Sequence, residues 1–218
     1  MRNASMYMKR VISKIGEKGI AHYMNILFRI FFKIIKPKYG RLFVFELDLA
    51  QLPQRSKQKG DVRVEVIKSI EEIASFVKER EKWYYEYAKD LFEKGNLCFV
   101  GKADNKIVSC VWTSFHEVYL PDVEYVLHVG DNIVPLIDAY TLPAYRGMGI
   151  YKIVWNECIE YFQNSHKFSR IYGFIVPSNT RSLTVHKNLK LERIIMTITL
   201  LRIFGIRKHF VKNCERML

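Results

Sequence analysis

"AYRGMGIYKIVWNECIEYF", residues 144–162, sets an arginine and two glycines, one residue apart, between a strand-like run and an apolar helical period. A helix that starts this way leaves its first backbone N–H groups uncovered, and glycines let a ligand come close to the main chain. The result is a concave positive site for an anion, and pyrophosphate is the anion this reading favours.

Outward from that motif, strand and helix signals follow one another. Upstream, "NIVPLIDAYTL" (132–142) is the strand that feeds it, and "VEYVLHV" (123–129) reads as another strand before Gly130. "LCFVGK" (97–102) and "KIVSCVWTSF" (106–115) flank "ADN" as a hairpin. "DVRVEVI" (61–67) alternates as a strand. "SIEEIASFVKER" (69–80) is helical, with Ser69 and Glu72 at capping-box spacing and Ile70, Ile73, Phe76 and Val77 as an apolar stripe. Downstream come a helix from Ile150 to about Asn164, a strand at "RIYGFIV" (170–176), a helix from about Asn179 to Leu189 and the strand-like "RIIMTITLLRIF" (193–204). Near the start, "RLFVFELDL" (41–49) has the period of a half-buried strand, and "PQRSKQKG" (53–60) reads as a loop or linker. The expected division is a helical extension at 1–41, a strand and linker at 42–60 and the main domain at 61–218.

The glycine motif departs from two common phosphate cradles. A dinucleotide-binding G-x-G-x-x-G has Lys152 at its third glycine position here, and no G-x-x-x-x-G-K-[ST] occurs. In isolation an R-G-x-G is also compatible with a plain tight turn. Strand, "LPAYRGMGI", amphipathic helix, strand, and a second helix beginning at "NTRSLTVHKN" together resemble the GNAT superfamily of acyl-CoA-dependent N-acyltransferases. The resemblance covers roughly 62–204, and its specific part is 138–191. Leu142, Pro143, Tyr145, Arg146, Gly147, Gly149 and Ile150 match the pyrophosphate loop, with Tyr151 in place of the usual small residue. Asn179 and Ser182 match the later helix, while His186, Asn188, Lys190 and Leu191 stand where Tyr, Lys, Gly and Phe are common.

The resemblance implies an α/β (α+β) fold, a mixed and mostly antiparallel sheet flanked by helices, preceded here by the N-terminal helical extension. It implies acetyl-CoA as co-substrate. Backbone groups of Gly147, Met148, Gly149, Ile150 and Tyr151, with Arg146, are expected to take the pyrophosphate. The peptide-like pantetheine arm is expected along Tyr140, Thr141 and Leu142, with Asn179 and Ser182 on the other side. An amine then attacks the acyl carbon directly, and a backbone N–H near 140–142 stabilises the oxyanion.

His186 occupies the position from which the family's Tyr acts as general acid; an imidazole can do the same near neutral pH, or it can be a surface residue. Asp138 lies on the strand that meets the thioester, as proton acceptor or as an anchor for the acceptor or a backbone turn. Glu124 and His128 share a strand face by period-two spacing, which suits an acceptor pocket or ordinary cross-strand pairing. Trp83 and Tyr84, within "WYYEYA" (83–88), are read as pocket walls, the alternative being core.

At 218 residues and 49% hydrophobic, the chain can build a sizeable core. Cys98, Cys110, Cys158 and Cys214 show neither C-x-x-C pairing nor zinc spacing, so a reducing compartment is expected and no metal. No cleavable leader or true membrane span is read, and a cytoplasmic protein is expected. The net charge of +13 is concentrated early: residues 1–41 hold ten Lys or Arg against Glu17 alone. In "HYMNILFRIFFKIIK" (22–36), His22, Asn25, Arg29, Lys33 and Lys36 gather on one narrow face and apolar residues cover the rest. Such a helix suits the inner face of an anionic membrane, more than nucleic acid; packing on its own domain or on a second copy in a homodimer is the alternative.

The function expected is acetyl transfer to an amine, on a small molecule, an amino sugar or a membrane-associated, lipid-linked precursor. The alternatives are a long-chain acyltransferase at the membrane and a catalytically silent binding module on the same fold.

Overall fold

The computed structural model describes residues 37–52, 62–81, 83–115, 117–189 and 193–217, with Gly19, His22, Met24, Asn25, Ile26 and Phe28. The helical extension expected at 1–41 therefore lies mostly outside the described residues, and the loop read at 53–60 lies wholly outside them. His22, Met24, Asn25, Ile26 and Phe28 are helical and exposed. The chain divides into two units: residues 1–40 with 200–209, and residues 41–199 with 210–218. The site lies in the larger one.

The main sheet has eight strands in the order β10-β9-β1-β8-β7-β4-β3-β2. These are β1 (Lys38–Asp48), β2 (Arg63–Ile67), β3 (Cys98–Ala103), β4 (Lys106–Thr113), β7 (Ile133–Thr141), β8 (Arg170–Ile175), β9 (Arg193–Ile203) and β10 (Ile206–Met217). A separate hairpin pairs β5 (Val118–Leu120) with β6 (Tyr125–Leu127). Among the described residues of the larger unit, four helices accompany them: α1 (Ile70–Lys78), α2 (Trp83–Glu93), α3 (Ile150–Ser165) and α4 (Thr180–Leu189). The fold is thus a mixed α/β architecture. Its pairings β1–β8, β2–β3, β3–β4 and β4–β7 are antiparallel, and β7–β8 is parallel.

Local chemistry explains the elements. Asp104 and Asn105 take positive φ (49° and 62°) to turn β3 into β4, a conformation those two residue types tolerate. Ser69 caps α1 by position, but its side chain makes no cap hydrogen bond to the first-turn backbone, so the capping box is not closed. α3 buries Ile150, Val154, Trp155, Cys158, Ile159 and Phe162, one face at helical spacing. Each such side chain contributes about 1.5–3 kcal/mol of burial. Gly101 lets that helix settle close to the sheet, because a Cβ there would lie 2.7 Å from Val154 Cγ2.

Strand alternation assigns the two faces. Phe99 of β3 packs on Tyr161 and Phe162 of α3, whereas Trp112 of β4 packs on Phe92 of α2 and Tyr140 of β7 on Phe76 of α1. Hence α3 covers one face, α1 and α2 the other. Asp138, paired with Trp112, and Tyr140, paired with Cys110, look toward α1 and α2.

Candidate active site at a gap in the sheet

β7 and β8 pair from Ile133↔Arg170 to Leu136↔Gly173 and no further, although β7 runs on to Thr141 and β8 to Ile175. The register of β7 against β4 shifts between Trp112↔Asp138 and Thr113↔Leu136, leaving Ile137 as the extra residue of a bulge. A bulge bends its strand, so β7 leaves β8 and a gap opens in the middle of the sheet. Leu142 N–H donates to Val108 O at 2.9 Å. By antiparallel alternation Tyr140 N–H turns the same way, toward β4, while Ala139 and Thr141 present theirs to the gap. Of the backbone N–H groups at 140–142, where one is expected to serve the oxyanion, that of Thr141 is therefore the one turned to the gap, and that of Leu142 is held by its neighbour strand.

Past β7 the chain makes a 3-10 turn at Pro143–Tyr145 and enters α3 through Gly149, whose φ is 75°; Gly147 has φ 82°. Among the described residues nothing lies within 4 Å of a Cβ built on either glycine, so open space adjoins the loop. Gly149 occupies the cap position and has no side chain to satisfy the first-turn N–H groups of α3. Arg146 Nε donates to Thr141 O at 3.0 Å, and its guanidinium stands 5.4 Å from the Tyr140 ring, so the side chain is fixed beside the helix start. Met148 is exposed at the tip. An uncapped helix N-terminus, a fixed guanidinium and open space fit a pyrophosphate.

A cavity of about 1010 Å³ passes through the gap. Toward α3 and α4 its wall includes Tyr151, Trp155, Asn179, Ser182 and His186; toward α1 and α2 it includes Arg80, Tyr84 and Asp138. His186 is 4% exposed, not a surface residue. Its ring lies 4.6 Å from Phe45 and 5.1 Å from Trp155, and Nε2 is 3.3 Å from the Tyr151 hydroxyl. Asn179 Oδ1 accepts from Ser182 N at 3.1 Å and thereby starts α4. Trp155 Nε1 is buried without a hydrogen-bond partner among the described residues.

Across the gap, Asp138 Oδ2 accepts from Arg80 Nη1 at 2.7 Å and from Tyr84 OH at 2.6 Å. Arg80 also lies over the Tyr84 ring, 3.4 Å from its centroid, and 4.3 Å from that of Tyr140. Burial opposes the Arg80 charge, and the Asp138 carboxylate with Tyr84 outweighs it, so the pKa is raised. Burial likewise drives the Tyr84 hydroxyl well above its ordinary value. Tyr87, also in the wall, is pushed up to about 12, chiefly by burial. This side of the cavity keeps its tyrosines neutral and its arginine charged. Trp83 reaches the wall as well, largely exposed.

Glu124 and His128 do not share a strand face. β6 is only three residues long, and the two flank it: Glu124 sits in the preceding turn at φ 46°, and His128 Nδ1 lies 3.2 Å from Glu117 Oε2. Neither lines the cavity, whereas Glu117 and Asp122 of the same hairpin do. The short strand is the reason, since period-two spacing carries a face only where pairing persists. Arg80, Phe45, Asn96 and Trp155 also line the cavity and were not singled out from the sequence. Only Arg80 carried a signal, as a cation ending the α1 pattern just before the aromatic segment.

Residues 64–190, more than half of the chain, match the acetyltransferase (GNAT) family. No curated protein matches the sequence. Among solved structures, a GNAT-family structure from Novosphingobium aromaticivorans aligns at 13% identity and TM-score 0.51, over 74% of this chain and 62% of that one. A Drosophila protein aligns at 10% identity and TM-score 0.51, over 85% and 58%. The chain thus spans about three fifths of those structures, and at such identities the likeness concerns the fold.

Proposed function

Because the chain belongs to the acetyltransferase (GNAT) family, we propose that it transfers an acetyl group from acetyl-CoA to an amine held in the cavity on the α1–α2 side. The observation that carries this is the gap where β7 leaves β8, with the uncapped start of α3 at its mouth. Acetyl-CoA supplies an acyl group activated as a thioester. The first-turn N–H groups of α3 and Arg146 bind its pyrophosphate, and the gap-facing backbone of 139–141 orients the pantetheine arm by strand-like hydrogen bonds. Thr141 N–H, and Ala139 N–H beside it, stabilise negative charge on the acyl oxygen. His186, with the Tyr151 hydroxyl at Nε2, delivers a proton to the departing sulfur. Asp138 works on the acceptor side. With Arg80 and Tyr84 on Oδ2 it is a fixed negative charge that draws the amine to the acyl carbon.

Mass spectrometry of the full chain with acetyl-CoA and a panel of amines, amino sugars and lipid-linked glycans tests this. Acetylation of an amine is the expected result. Absence of transfer, together with absence of acetyl-CoA binding, would favour a silent module on this fold.

A membrane-surface role for residues 1–41 is a second proposal, supported by the exposed Met24, Ile26 and Phe28 beside the early surplus of Lys and Arg. No helix of the described residues is long and apolar enough to cross a membrane, so the contact proposed is interfacial. Salt-sensitive flotation with anionic vesicles, lost on removal of residues 1–37, is expected; equal flotation of the truncated chain overturns it.

A further inference from the structure

The turn that joins β9 to β10 puts an aromatic ring where the backbone disfavours one. β9 ends at Ile203 and β10 begins at Ile206, so Phe204 and Gly205 alone make the turn, with φ of 53° and 79°. A tight hairpin needs two such left-handed residues in a row, and Asn, Asp or Gly supply them with little strain. The β3–β4 turn of the same chain follows that rule with Asp104 and Asn105. A bulky side chain in this conformation costs stability. Burial does not offset the cost, because Phe204 is 58% exposed, Ile206 is 74% exposed and Ile203 is exposed as well.

A second observation, the distribution of charge, is independent of the turn. Residues 200–209 belong to the same compact unit as residues 1–40. Together they hold twelve Lys or Arg against Glu17 alone, a surplus of eleven out of the net +13 of the chain. At the turn itself Arg202 precedes Ile203, Arg207 and Lys208 follow Ile206, and no Asp or Glu occurs from Arg193 to Cys214. An exposed apolar tip flanked by cations is complementary to a surface that is anionic outside and apolar beneath, which describes a bilayer of acidic phospholipids. Nucleic acid would match the charge and leave the apolar tip without a use.

We propose that the β9–β10 turn is a membrane wedge. Ile203, Phe204 and Ile206 enter the acyl boundary of an anionic phospholipid surface, while Arg202, Arg207 and Lys208 meet the headgroups. The wedge is a different site from the contact proposed for residues 1–41, and it rests neither on that contact nor on the acetyltransferase reading. Two such elements suit reversible attachment, since one weak interfacial signal binds marginally and stable anchoring takes two.

Flotation of the full chain at low salt, with phosphatidylcholine vesicles that contain or lack phosphatidylserine, tests the wedge. Phe204→Asn with Ile206→Ser is expected to bind phosphatidylserine vesicles at least about tenfold more weakly than the parent. Arg207→Gln with Lys208→Gln should weaken the same binding about tenfold or more and leave binding to pure phosphatidylcholine unchanged. Phe204→Asn alone should melt at or above the parent's temperature, because Asn tolerates the left-handed position. A lower melting temperature with unchanged flotation would give the ring a structural role and overturn the wedge. Phe204→Trp should be quenched by brominated acyl chains beyond the quenching of the parent, and no added quenching overturns insertion. Unchanged flotation of the Phe204/Ile206 variant also overturns the wedge; if removal of residues 1–37 then abolishes flotation, the membrane contact belongs to the extension alone. A dimer lost in the Phe204/Ile206 variant with flotation unchanged would make the turn an interface between copies. Binding of duplex DNA with none to vesicles would make the partner nucleic acid, and either result overturns the proposal.

Discussion

The Tyr151 hydroxyl lies 3.3 Å from Nε2 of His186, joining the first turn of α3 to α4 inside the cavity wall. The tyrosine occupies the place where a small residue is usual, and the histidine the place where a tyrosine is usual, so the two departures meet. If His186 supplies the proton, His186→Phe lowers turnover about a hundredfold or more. Acetyl-CoA affinity should change little, because phenylalanine keeps the packing on Phe45 and Trp155. Tyr151→Phe should lower turnover less. Steady-state kinetics check this, and parental turnover in His186→Phe removes the residue from the chemistry.

Asp138→Asn separates acceptor from donor. The variant keeps the shape of the site and removes the charge that faces Arg80. The KM for the amine is expected to rise roughly tenfold or more while the acetyl-CoA dissociation constant is unchanged. Losing the partner of a part-buried guanidinium should also cost about 1–3 kcal/mol of stability. Two-substrate kinetics and a denaturant melt measure the two effects. An effect on donor binding alone would place Asp138 on the wrong side of the gap.

Gly173 is required by Phe45. The phenyl ring crosses directly over it, and a Cβ at 173 would lie 1.9 Å from Phe45 Cζ. Gly173→Ala is expected to destabilise the protein by about 1–3 kcal/mol or more through overpacking. Adding Phe45→Leu should recover part of that loss, and a double-mutant cycle by thermal melting reads the coupling. Additive effects would mean that the ring does not press on this residue.

Removal of residues 1–37 leaves β1 intact and should give a folded chain that binds acetyl-CoA. Removal of residues 1–52 takes away a strand that lies between β9 and β8, and this chain should not fold. Circular dichroism distinguishes them. A cooperative melt from the shorter chain would show β1 to be dispensable.

Much of this was readable in the amino acids because local periodicity and glycine placement are local signals. The β3–β4 hairpin, the strand into Arg146, the glycines at positive φ and the α3 stripe all depend on neighbours within a few residues. What escaped depends on residues far apart. Arg80 and Asp138 are 58 positions apart in the chain, and no period brings them together. Phe45 over Gly173 needs the β1–β8 register, which the sequence does not contain locally. Glu124 and His128 misled because three residues of β6 are too few to carry a face, and β5 and β10 lacked the clean alternation of a half-buried strand. Asn96 gave no signal, since burial of a lone amide follows from the elements packed around it.

The start of α3 is proposed to hold the pyrophosphate of acetyl-CoA, and calorimetry of acetyl-CoA with the full chain, Gly149→Ala and Gly149→Glu decides it. The parent should bind. Gly149→Ala meets open space but a left-handed backbone, so about 1–2 kcal/mol of stability should be lost and binding retained in weakened form. Gly149→Glu adds a negative side chain where the phosphates must sit, and no binding should be detected from the folded variant. Unchanged acetyl-CoA affinity in folded Gly149→Glu would mean that the pyrophosphate does not sit at the start of α3.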